Sequence, residues 1–172
     1  MLFRSRGTAR GRASGRIDVL ALGLGAAIIF RLPVSDAARL RRRRVVDHDA
    51  HEDVVRILLE EGAPERTVFH CFSGDAELAR ICNQHGWYMS FSGTVTFKNS
   101  HDLQEALSVA RPELVMVETD APFLTPHPYR GRPNAPYLVV QTARWIAEHL
   151  QTPLEEFCAR VDTTVREVYG QH

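Results

Sequence analysis

The chain lacks the features that would staple a fold covalently or carry it through a membrane. Its cysteines, Cys71, Cys82 and Cys158, are an odd number at wide spacings without a Cys-x-x-Cys pair. A reducing compartment follows, with Cys82 and Cys158 expected as small core residues. No apolar run reaches the ~20 residues that a bilayer demands. Residues 17–30 follow an Arg-rich start in the manner of a signal peptide, but they include Asp18 and lack a small-x-small cleavage pattern. A cytoplasmic protein with no membrane partner is the expectation. The first 44 residues contain neither Lys nor Glu; they hold eleven Arg and two Asp, a balance of +9. Because the whole chain is formally neutral, the rest must carry −9, so the two parts read as different sequences.

What is present from residue 45 onward is a regular alternation. Asp49 is placed to cap a helix running to about Glu61, with Val54, Ile57 and Leu58 on one face and Gly62-Ala63-Pro64 ending it. Thr67 to His70 reads as a short strand. A second helix starts at Asp75 and stops at His85-Gly86; Trp87 to Phe91 is strand-like, with Trp87, Tyr88 and Phe91 expected in the core. A helix over Asp102 to Ala110 leads into the apolar run Leu114 to Val117. After a proline-rich loop come helical stretches at Tyr137 to Leu150 and Pro153 to about Gly170. Strands and helices alternating over short connections imply a parallel sheet with right-handed crossovers. The first 44 residues show no such rhythm.

Chemistry is expected at the strand ends, where parallel sheets present their functional groups. One strand runs into His70-Cys71-Phe72-Ser73-Gly74 and another into Glu118-Thr119-Asp120-Ala121-Pro122. An imidazole and a carboxylate on two neighbouring strands suggest a hydrolytic metal site. Glu118 reads as a supporting or structural residue. In the loop that follows, Arg130, Arg132 and Asn134 suit phosphate contact, since a guanidinium holds two phosphate oxygens at once. A loop-stabilising role fits them equally, and Lys98 with Asn99 reads as structural.

Four blocks in register, His70 to Gly74, Met89 to Asn99, Val117 to Pro122 and Tyr129 to Pro136, resemble the TatD family of metal-dependent deoxyribonucleases, amidohydrolase-like TIM barrels. The likeness covers about residues 49–170. It implies an α/β fold, here an incomplete (β/α)8 barrel with the parallel strands of its C-terminal half. The implied domains are an atypical, poorly ordered Arg-rich segment over 1–44 and a partial barrel over 45–172. It further implies a hydrolase acting on the phosphodiester bonds of nucleic acid, with DNA as substrate and two divalent ions (Mg, Mn or Zn) as cofactors. By the same resemblance His70 is a ligand of one ion. Asp120 is a ligand of the other and the catalytic proton acceptor for the attacking water.

The chain departs from that family pattern at its start. No His-x-His pair is found, and no Glu lies in 1–44 to serve as the bridging ligand. Val46 stands where the next histidine belongs; His48 and His51 replace it only if the strand register shifts. Residues 1–44 are therefore expected to be foreign to the family frame, and the chain to be an impaired hydrolase. A catalytically dead truncated relative and a basic-armed nucleic-acid binder are the alternatives. Exposed sheet edges of a half barrel predict self-association.

Overall fold

Helix α1 (Ala50–Glu61) turns Val55 and Leu58 inward and ends ahead of Gly62, whose φ of 86° suits a residue without a Cβ. This computed structural model describes residues 16–23, 26–33 and 50–170, with side chains over 51–170; the expected Asp49 cap lies outside them. Helix α2 (Ala76–His85) is capped as its sequence predicts. The Asp75 carboxylate accepts from the N–H groups of Glu77 at 3.0 Å and Leu78 at 2.9 Å, and left-handed Gly86 closes the other end onto the Cys82 carbonyl. Three more helices follow: α3 (His101–Val109), α4 (Val139–His149) and α5 (Leu154–Tyr169).

The sheet contains β1 (Arg16–Gly23), β2 (Ala26–Pro33), β3 (Val68–His70), β4 (Tyr88–Phe91) and β5 (Val115–Val117), in that spatial order. β3, β4 and β5 are parallel, as the alternation requires, with Phe69 opposite Met89 and Ser90 opposite Met116. Each follows a helix or a helical turn, which returns the chain to the same end of the sheet. The described backbone of segment 1–44 is different: β1 and β2 form an antiparallel pair, and β2 runs antiparallel to β3. The apolar run of 17–30 thus falls on two strands. Three parallel strands with their helices make an incomplete barrel, and β5 ends the sheet.

Period-two alternation sorts the parallel strands into two faces. Phe69, Met89, Phe91 and Val115 point to the helical layer, each at most 1% exposed. There Phe69 stacks on Trp87 at 5.8 Å between centroids and Phe72 tilts against Phe91 at 5.3 Å. Trp87 and Phe91 are core residues as expected, and half-buried Tyr88 borders the apolar clusters. Burying side chains of this size stabilises by about 1.5–3 kcal/mol each. The other face carries Val68 and Met116, covered by Val168 of α5, and above them His70, Ser90 and Glu118. Along α5 the inward stripe is Phe157, Val161, Thr164 and Val168, so Cys158 falls beside it and is exposed, not in the core as expected; Cys82 is fully buried. Among the described residues no helix is long and apolar enough to cross a membrane.

Candidate metal centre

Three elements meet at the C-terminal ends of the parallel strands. His70 closes β3. Directly after it Cys71 takes a left-handed φ of 48°, and Phe72 N–H returns to the Ser90 carbonyl at 2.9 Å. A non-glycine residue held there carries backbone strain of about 1–3 kcal/mol, a feature that clusters at functional sites. The turn points the Cys71 N–H at Glu118 Oε1, 2.8 Å away. Past β5, Glu118 N–H still bonds to the Phe91 carbonyl at 3.0 Å, so the chain stays extended and enters the same rim.

His70 and Asp120 do converge, although not from adjacent strands as the sequence suggested, because β4 lies between β3 and β5. Glu118 joins them. One ring nitrogen of His70 and one carboxylate oxygen each of Glu118 and Asp120 lie within 4.8 Å of one another. The supporting role read for Glu118 is thus replaced by a place in the donor set itself. Residues two apart on extended chain share a face, and that spacing in Glu118-Thr119-Asp120 was the available signal.

His70 Nδ1 stands 3.3 Å from Glu118 Oε1, yet the pair is not aligned as a hydrogen bond. His70 Nδ1 and Asp120 Oδ2 are sealed from solvent without a hydrogen-bond partner. Buried polar atoms left in that state cost roughly 1–3 kcal/mol each, so they call for a partner. A cation supplies one. Two ligand atoms about 2.1 Å from a tetrahedral ion sit about 3.4 Å apart, close to the observed separation. Three protein donors with a fourth position open are also the set a catalytic ion needs. The residues therefore fit one divalent ion. Among the described residues no other group of His, Cys, Asp and Glu gathers this way.

Burial dominates the electrostatics. It pushes the Glu118 carboxyl up to about 7, with the neighbouring Asp120 charge adding to the shift; the Ser90 hydroxyl and the Cys71 N–H oppose it. Burial likewise pushes the Cys71 thiol up to about 12, its bond to Ser92 opposing and the two carboxylates adding. Cys71 therefore stays a neutral thiol, 3.5 Å from Ser92 Oγ.

The remaining sequence candidates divide. The Arg130 guanidinium lies 3.9 Å over the Phe97 ring, and Arg132 is exposed. Asn134 is only 6% exposed and spends its amide inside the loop: Nδ2 donates to the Phe123 carbonyl at 2.7 Å and Oδ1 accepts from Ala135 N–H at 2.8 Å. It closes the loop, and its polar atoms are turned to backbone instead of outward to a phosphate. Lys98 and Asn99 are exposed. His51, on α1, lies with Nε2 3.3 Å from Ser73 Oγ and outside the donor cluster; His48 lies outside the described residues. A groove of about 890 Å³ opens between α1 and α2, lined by Val55, Leu78 and Ile81, but none of the three donors borders it. Convergent donors, not volume, mark the chemistry.

Comparisons with known proteins identify the family and the fold. Residues 38–170 match the family described as TatD related DNase. A protein of Mycobacterium tuberculosis named "Uncharacterized metal-dependent hydrolase TatD" is 42% identical over 137 residues, covering 78% of this chain and 52% of that protein. The "Uncharacterized metal-dependent hydrolase YabD" of Bacillus subtilis is 41% identical over 133 residues, 76% of this chain and 52% of its own length. A solved TatD homologue from Escherichia coli shares the fold with a TM-score of 0.67 at 20% identity, covering 74% of this chain and 49% of that one. The chain spans about half the length of the relatives it matches. On these matches and on the donor set at its strand ends, the chain belongs to the TatD related DNase family.

Proposed function

We propose that this chain is a metal-dependent hydrolase of nucleic-acid phosphodiester bonds, working slowly because its described residues gather one three-donor metal position. The observation that carries the reading is the convergence of His70, Glu118 and Asp120 around two sealed, unpartnered atoms. A divalent ion held there (Mg, Mn or Zn) would supply acidification of a water and neutralisation of charge on the phosphate oxygens.

The chain's own residues supply the rest. His70 would offer a ring nitrogen to the ion, and the Cys71 N–H holds Glu118 in register toward it. One oxygen of Asp120 would serve as a donor to the ion. The other accepts the proton of the water that attacks phosphorus in line, while the P–O bond to the leaving oxygen breaks. Arg130 and Arg132, on the loop beyond Asp120, hold neighbouring phosphate oxygens of the DNA backbone.

Cleavage of a single-stranded oligodeoxynucleotide by the purified chain tests this. The expected result is product that requires Mn2+, stops with EDTA and is lost in Asp120→Asn. Cleavage that is indifferent to metal, or unchanged in that variant, refutes the reading. A single three-donor cluster among the described residues favours a second reading, a non-catalytic member that keeps the ion. Stoichiometric Mn2+ uptake without any cleavage would select it.

A further inference from the structure

The loop leaving the donor cluster holds an aromatic ring in solvent. Phe123 is 70% exposed, only three residues after Asp120. Single exposed apolar residues are ordinary on a protein surface, but this one is fixed in place. Its N–H bonds to the Asp120 carbonyl at 2.7 Å and its carbonyl accepts from buried Asn134 at 2.7 Å; Asn134 N–H ties the preceding Pro122 carbonyl at 2.9 Å. The next residue, Leu124, takes a left-handed φ of 54°, and the Gly93 backbone presses on its carbonyl so closely that a Cβ there would sit 2.1 Å away. Thr125 Oγ1 clamps the far side through the Arg132 carbonyl at 2.5 Å. So many ties hold an apolar ring out of the core, where burying it would have stabilised the fold by about 1.5–3 kcal/mol. Tyr129, Arg130 and Arg132 are exposed along the same loop and Tyr137 in the helical turn that follows it, an interleaving of rings and guanidinium groups that suits bases and phosphates together.

We propose that Phe123 is a stacking platform for an unpaired nucleobase beside the phosphodiester bound at the His70, Glu118 and Asp120 cluster. The inference rests on the nucleic-acid reading above and deepens it: a lone ring facing solvent can stack a base only when that base has left its duplex. The preferred substrate is therefore a single-stranded segment or end, taken with little regard to which base it carries, because every base offers a π-face.

The test is fluorescence binding with a short phosphorothioate single strand carrying 2-aminopurine, in Mn2+, against the same strand with an abasic site in place of that base. The wild-type chain is expected to quench the probe and to bind the base-bearing strand roughly tenfold more tightly than the abasic one, toward the low end of one base–aromatic stack. Phe123→Ala should lose both the quenching and the preference, and Phe123→Trp should restore both. Equal quenching and equal preference in Phe123→Ala overturn the inference alone. If the wild-type chain binds neither strand, the nucleic-acid reading fails and takes the inference with it.

Discussion

Replacing Glu118 by Gln removes the most strongly perturbed carboxyl of the donor cluster while keeping its shape. Burial raises Glu118 from an ordinary 4.5 to about 7, and its side chain is only 11% exposed, so little of the effect is lost to solvent screening. A shift of that size corresponds to about 3 kcal/mol between the two protonation states. The folded chain holds the proton more tightly than the unfolded chain does. Glu118 therefore contributes its full stability below pH 4.5 and loses it as the pH rises through about 7. In chelator, Glu118→Gln and the wild type should unfold alike in urea near pH 4, and at pH 8 the variant should be more stable by up to about 3 kcal/mol. The amide oxygen can still accept the Cys71 N–H, so that bond does not confound the comparison. Saturating Mn2+ at pH 8 should reverse the order: a ligand at a thousand times its dissociation constant adds about 4.1 kcal/mol to the folded state that binds it. Two parallel pH profiles would refute the burial argument, and a variant that Mn2+ stabilises as much as the wild type would remove Glu118 from the donor set.

Two further changes probe the frame around the site. Gly93→Ala sets a Cβ against the Leu124 carbonyl and the Pro126 backbone, so the loop must move. A cost of about 1–3 kcal/mol in urea melts is expected, with weakened Mn2+ binding and an unchanged far-UV spectrum; wild-type values for both would show that the contact is not tight. Asp75→Ala takes the acceptor from two N–H groups at the start of α2 and should cost about 1 kcal/mol in the same melts without changing metal affinity.

The elements that sequence reasoning located best are those whose ends are set by local chemistry. Asp75 and Gly86 bracket α2 because each satisfies backbone groups of that helix alone. The strand ends bearing His70 and Asp120 were legible because short apolar runs stop at polar residues. Longer-range facts were not. Glu118 was set aside because its place depends on β5 staying extended past its last paired residue and on the Cys71 turn reaching across from β3. Asn134 looks like a loop surface residue in sequence, and only the folded loop shows its amide consumed by backbone. Cys158 misled because a cysteine is usually buried, while the α5 stripe passes one residue to its side. β1 and β2 were missed because their apolar run lacks the alternation that marks a half-buried strand.

Anomalous diffraction from a Mn2+-soaked crystal would locate the ion itself. A manganese peak bounded by His70, Glu118 and Asp120, and absent in crystals of Asp120→Asn, is expected. A fully soaked crystal with no peak at those three side chains would contradict a metal centre there.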